Sequence, residues 1–247
     1  MSSPVASPTE KSDQPKRKRG WRRLLQFRLR TVLLLTAVVA IWLGWWLHSG
    51  RQQREAVAEL RKAGALIYYD FQSQGHDRPL YWPVWLVNWL GVDCFADVGT
   101  VSFTAARVTD ADLAQVNGFT SLQDLHLGGT QVTDAGLEHL KELTSLQLLW
   151  LEDMQVTDAG LEHVKGLTSL QSLFLKDTHV TDVGLEHLKN LTSLQGLYLE
   201  DTEVTDAGLE HLKDLTSLQE LFLYNTQVTD AGVAELQKSL PNCDIDH

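Results

Sequence analysis

From residue 108 onward the apolar positions recur with a period of 24. Units begin at Val108, Val132, Val156, Val180 and Val204, and a shorter one begins at Val228. Within a unit, Leu170, Leu173 and Leu175 lead to Thr178 and Val180, and the Leu-x-Leu alternation is that of a half-buried strand. A Thr-Asp pair follows, of the kind that opens a helix. Leu137, Leu140 and Leu143 then fall at helical spacing, and "LTSLQ" closes the helix and enters the next strand. Each unit therefore predicts strand, turn, helix and return. Its one apolar face must be buried by stacking on the neighbouring units, which makes a solenoid. Two weaker units bracket the array. Val98, Val101, Phe103, Ala106 and Val108 stand upstream, and Leu240, Cys243 and Ile245 downstream. The expected result is seven parallel strands ~4.8 Å apart.

The motif L-x-x-L-x-L-x-x-T-x-V, with its frame extending over residues 98–247, resembles the leucine-rich repeat family. The "VTDAGL" turn looks like the short bacterial repeat type. It is also similar to the repeats of F-box substrate receptors, although no F-box-like segment precedes it. In that family the turn position usually holds Asn or Cys bonded to the backbone of the adjacent coil. Here it is Thr130, Thr178, Thr202 and Thr226, and Met154 breaks the series, which predicts a looser or drier turn there.

The inward Leu and Val scarcely change between units, whereas the outward strand positions change a great deal. The central outward column reads Ser102, His126, Trp150, Phe174, Tyr198, Phe222 and then Asp244. Strand spacing puts successive rings within stacking distance. Such a column on an open concave face forms an apolar patch, and aromatic residues are the commonest interface anchors. One flanking column includes Glu152, Lys176, Glu200 and Tyr224, within an acidic edge that also holds Asp153, Asp177 and Asp201. The edge reads as a partner-facing rim more readily than as a calcium site. His126, Trp150, Phe174, Tyr198, Phe222, Glu152, Lys176, Glu200 and Tyr224 are the expected ligand-binding residues. His139, His163, His187 and His211 recur on the helix face as a duplicated polar surface, with no zinc-ligand spacing.

The N-terminal part has a different pattern. Residues 31–47, "TVLLLTAVVAIWLGWWL", carry no charge and are apolar on every face. Trp42, Trp45 and Trp46 crowd one end, and Arg28 and Arg30 stand before the other. This predicts an uncleaved signal-anchor helix over 31–48 rather than a cleaved signal peptide. The basic head would stay in the cytoplasm and the repeats would be exported. Residues 1–30 read as a basic disordered tail. Residues 51–97 read as an α+β cap, with a helix in "REAVAELRKAGA", a strand in "LIYYDF" and a helix that spaces Trp82 (outside the residues described below), Trp85/Leu86 and Trp89/Leu90 to cover the first coil. The sequon at Asn190 is not shared by the other units.

Charge sharpens this division. The net charge is -11, yet residues 1–50 hold nine Lys/Arg against two acids, or +7, so the remainder carries -11 - 7 = -18. An acidic body excludes phosphate-backbone binding there. Cys94 and Cys243 lie at opposite ends of the array, too far apart for a disulfide. No nucleophile elbow, zincin motif, P-loop, dinucleotide turn or C-x-x-C occurs. The sequence thus predicts an α/β leucine-rich-repeat solenoid with one transmembrane helix, no cofactor and no metal. The expected function is non-catalytic binding of a protein, peptide or envelope component. An envelope protein that self-associates without a separate ligand is the alternative.

Overall fold

A computed structural model describes residues 19–70, 83–94, 96–103 and 107–247. The expected disordered tail lies mostly outside them. The chain separates into two units, Met1–Leu47 and His48–His247. Helix α1, Arg19–Lys62, is 44 residues long and supplies the described part of the first unit. There Trp42 and Trp46 stack with planes 5° apart, and the side chains from Leu34 to Trp45 are exposed.

The expected transmembrane helix is corrected by this element. Among the described residues, no helix is long and apolar enough to cross a membrane. The uncharged run of 17 residues spans only ~25 Å, short of a hydrocarbon layer of ~30 Å. The same helix runs on without a break through Arg51, Arg54, Glu55 and Glu59. A single-pass placement with exported repeats therefore has no support.

The second unit is built on one eight-stranded sheet in chain order. β1 (Ala65–Tyr69) pairs antiparallel with β2 (Val98–Phe103). β3 (Asp124–His126), β4 (Leu148–Trp150), β5 (Ser172–Phe174), β6 (Gly196–Tyr198), β7 (Glu220–Phe222) and β8 (Asp244–Asp246) then follow in parallel. Seven strands run parallel, as the period predicts, and β1 adds an eighth. Leu125, Leu149, Leu173, Leu197 and Leu221 are direct neighbours and fully buried. The last strand is shifted from its expected frame. Asp246, not Asp244, stands beside Phe222. The helix before it, Asp230–Ser239, has Leu240 at its C-cap, so Leu240 does not begin the strand.

Short helices return each coil: α3 (Asp110–Leu113), α4 (Asp134–Leu137), α5 (Asp158–Val164), α6 (Asp182–Glu186), α7 (Asp206–Leu209) and α8 (Asp230–Ser239), α2 being Val84–Leu90 before the array. The Thr-Asp pair does more than cap them. Thr157 Oγ1 accepts from the Ala159 N–H at 3.3 Å and donates to Asp134 Oδ2 of the preceding coil at 2.6 Å. The Thr157 N–H donates to the other oxygen of Asp134 at 2.8 Å. The same two-pronged clasp joins Asp110 to Thr133, Asp158 to Thr181, Asp182 to Thr205 and Asp206 to Thr229. Glycine two residues after the Asp leaves room for it: a Cβ on Gly184 would lie 2.4 Å from Asp158 Oδ1.

Three of the turn threonines bond within their own coil, whereas Thr130 donates to Met154 Sδ of the next coil at 4.0 Å. Thr178, Thr202 and Thr226 donate to Leu175, Leu199 and Leu223 carbonyls at 2.6–2.7 Å. Met154 is buried, and Asp153 before it keeps the φ of its equivalents, so that turn is not loosened.

The first coil is covered by Val57 and Leu60 of α1 and by Ala65, Ile67 and Tyr69 of β1, all buried. Trp85 and Trp89 on α2 are 68% and 75% exposed. They do not form the cap. The seven-residue helix turns Leu86 and Val87, which are half-buried, away from solvent instead. Cys94 and Cys243 are both free and buried.

Gly184→Ala should destabilise the protein by about 1–3 kcal/mol in urea denaturation, because the added methyl overpacks the clasp. Acid should open the last of these clasps, between Asp206 and Thr229. Thr229, through its backbone N–H and then its hydroxyl, holds the Asp206 carboxyl below its ordinary range. A depressed folded-state value adds stability above the unfolded value and loses it as pH falls through the folded one. The denaturation midpoint should hold from neutrality to about pH 4 and drop below it. Asp206→Asn should remove a share of that drop.

Candidate ligand-binding face

The outward side chains of β3 to β7 meet in one ladder. Centroid separations are 4.9 Å for His126–Trp150, 4.1 Å for Trp150–Phe174, 4.1 Å for Phe174–Tyr198 and 5.0 Å for Tyr198–Phe222. The last three pairs are stacked with planes 24°, 7° and 8° apart. Leu149 and Leu151 point inward and are fully buried, so Trp150 is forced to the opposite face. All five rings are half-buried because each covers its neighbour. The surface left open is largely ring edge, the positive end of the aromatic quadrupole. Burial lowers the His126 pKa, against the opposing charge of Asp124.

A glycine seats one ring. A Cβ on Gly196 would meet Tyr198 Cε2 at 3.1 Å and its hydroxyl oxygen at 3.3 Å. The ring thus lies back over Gly196, and its hydroxyl donates to Glu220 Oε2 at 2.8 Å. Burial and then this contact raise the Tyr198 pKa to about 12. Neither Gly196 nor Glu220 was an expected site residue. The signal available was a glycine in an outward column that elsewhere holds Asp, Leu, Ser and Glu. The face also extends onto β1, where exposed Leu66 and Tyr68 lie opposite Ser102 and Thr100.

Beside the ladder, Glu152, Lys176 and Glu200 occupy equivalent positions on consecutive coils. Lys176 Nζ points to Asp201 Oδ2 at 3.9 Å. The Glu152 carboxyl has a raised pKa, first from burial, then from Glu200 and Asp153, with Lys176 opposing. Glu200 Oε2 and Trp150 Nε1 are shielded from solvent and have no hydrogen-bond partner among the described residues. Tyr224 is exposed, 6.5 Å from Phe222, and its pKa is raised by desolvation and by Asp246. The rest of the acidic edge has a backbone role. Asp153, Asp177 and Asp201 hold φ of 54°, 53° and 56°, and Asn225 and Gly129 take the same conformation. Asp and Asn tolerate that left-handed turn better than other side chains do. The strands and their turns carry nine carboxylates (Asp124, Glu152, Asp153, Asp177, Glu200, Asp201, Glu220, Asp244, Asp246) and one ammonium, Lys176. With His neutral the balance is -9 + 1 = -8. Among the described residues no group of three or more His, Cys, Asp or Glu could hold a metal ion.

The family model "Leucine Rich repeat" matches residues 120–141, which run from the approach to β3 through α4. That match covers one coil of the array, 22 of the 247 residues. Among solved structures, an internalin (inlF) from Listeria monocytogenes is 29% identical, with a TM-score of 0.49 over 57% of this chain. The chain spans 38% of that protein's length. Internalin C2 (inlC2) from the same organism is 22% identical, with a TM-score of 0.42 over 62% of this chain and 82% of its own. No curated protein matches the chain. The likeness to F-box receptor repeats gains no support from these matches.

Glu220→Gln replaces the charged acceptor with a neutral, weaker amide oxygen, so the Tyr198 phenol should ionise below about 12. Gly196→Ala should do the same by lifting the ring off the sheet. A difference titration of phenolate absorbance against the parent chain checks both.

Proposed function

We propose that this leucine-rich repeat protein is a non-catalytic binding protein, and that the open sheet face from His126 to Tyr224 docks a protein or peptide partner. The ladder carries this reading. Five rings in unbroken contact give a continuous, rigid, partly apolar strip, and aromatic side chains are enriched at the centres of interfaces. Glu152, Lys176, Glu200 and Tyr224 form its polar border and supply directional contacts. Self-stacking accounts for the half-burial of the rings. It leaves their open edges without a role.

The array is held in a fixed register, so binding needs little rearrangement of the face. Rigid aromatic side chains lose little entropy on docking, which favours affinity at a modest contact area.

The test uses the full chain as bait for partners and then measures affinity for the partner recovered. Phe174→Ala and Tyr198→Ala should each cost about 2 kcal/mol, or about thirtyfold in Kd. Unchanged affinity in a chain with alanine at 150, 174, 198 and 222 would overturn the reading.

A further inference from the structure

Helix α1 carries an apolar stripe with a spacing of its own. Leu34, Val38, Ile41 and Trp45 are 67%, 62%, 73% and 68% exposed. They stand four, three and four residues apart, the alternation that keeps one line of side chains turned toward a partner helix. In sequence the spacing extends upstream through Thr31, Phe27 and Leu24, and it ends downstream at His48 and Gln52. The two flanks of the stripe differ in size. Leu35 and Trp42 border one side and are exposed, whereas Ala37 and Gly44 border the other. A Cβ on Gly44 would meet nothing within 4 Å. Trp42 is braced by Trp46, with ring centroids 6.3 Å apart. Residues 31–50 contain no Asp, Glu, Lys or Arg, so no like charges oppose each other when two such stripes meet in register.

We propose that α1 pairs in parallel with α1 of a second copy through this stripe, making the protein a two-stranded dimer. The proposal does not rest on the docking face, which belongs to the sheet. Leu34 and Val38 fit the two-stranded choice, leucine at one kind of stripe position and a β-branched residue at the other. The flanks set the direction. A parallel pair brings the large flank of each helix against the small flank of the other, so Trp42 lies over Ala37 of the second copy. An antiparallel pair would crowd large against large and leave a gap between small and small, which close packing disfavours. The area is sufficient. Leu34, Leu35, Val38, Ile41, Trp42 and Trp45 each expose on the order of 100 Å². Covering them in both copies removes about 1,200 Å², the lower bound for a specific, stable interface.

Sedimentation of the full chain over a wide concentration range, in buffer without lipid, reads the association. The parent should form a dimer that dissociates on dilution. Ile41→Asp sets a charge in the seam and should raise the dimer Kd at least about tenfold. Thr36→Asp adds the same charge on the opposite side of the helix and should change Kd less than about twofold. Both positions are exposed, so the repeat unit should melt as in the parent. Oxidative trapping reads the direction without a destabilising change. Leu34→Cys and Ile41→Cys, made one at a time, should each yield a disulfide-linked dimer, because in a parallel pair every stripe residue faces its own counterpart. Thr36→Cys should not. Cys94 and Cys243 are buried, and the parent chain under the same oxidation gives the background.

A monomer at every concentration, an unchanged Kd for Ile41→Asp, or linking at position 36 as readily as at 34 and 41 would overturn the proposal. Failure to link at either 34 or 41 would reject the parallel pair. Association of α1 that appears only when phosphatidylcholine vesicles are added would make a lipid surface the occupant and overturn it too. None of these outcomes touches the docking face on the sheet.

Discussion

The clasp between successive coils is the contact on which the rest of the structure depends. A parallel sheet of three-residue strands has few ladder hydrogen bonds per coil, and leucine packing is not directional. The Asp carboxylate supplies direction. It grips the N–H and the hydroxyl of a single threonine on the next coil, with distances of 2.6–2.8 Å repeated five times. The threonine is thereby fixed at both ends, since its hydroxyl also caps its own helix at Thr157, Thr181 and Thr205. The glycine two places after the Asp is what lets the coils approach. Thr, Asp and Gly are one device, and its spacing sets the 24-residue step that keeps Leu125, Leu149, Leu173, Leu197 and Leu221 in line.

That register has a consequence on the opposite face. Once the leucines align inward, the residues beside them must align outward, strand after strand. Aromatic side chains placed there have no freedom to avoid each other and stack at 4.1–5.0 Å. Each pair is worth about 0.5–1.5 kcal/mol beyond simple burial. The ladder therefore stiffens the sheet it rests on. Gly196 shows how local the fit is, because a single methyl there would displace the Tyr198 ring and its bond to Glu220.

The spine was legible in the sequence because burial imposes a period, and a period survives in composition alone. Inward leucines, outward rings and parallel order all follow from it. The clasp was only half legible. Thr-Asp reads as a cap, and nothing in a linear pattern says that the Asp belongs to the following coil. The turn role of the acidic edge was not legible either, since composition does not display the left-handed φ that Asp153, Asp177 and Asp201 adopt. β8 slipped because α8 runs three turns to Ser239 and delays the strand. The apolar run from 31 suggested a membrane crossing on chemistry, whereas its length falls short and its helix continues into charge. Trp85 and Trp89 suggested a cap by their size, but β1 already covers the coil.

The ring ladder and the carboxylates beside it call for different explanations. Stacking makes exposed rings tolerable, since each hides its neighbour's face, and a protein could keep such a strip for rigidity alone. No comparable benefit attaches to Glu152 and Glu200. Lys176 stands between them in the row and points to Asp201, and Glu200 Oε2 is shielded with no hydrogen-bond partner among the described residues. Local instability that the fold does not require is the usual mark of a surface completed by something else. The carboxylate row is therefore the part of this face hardest to explain by folding alone.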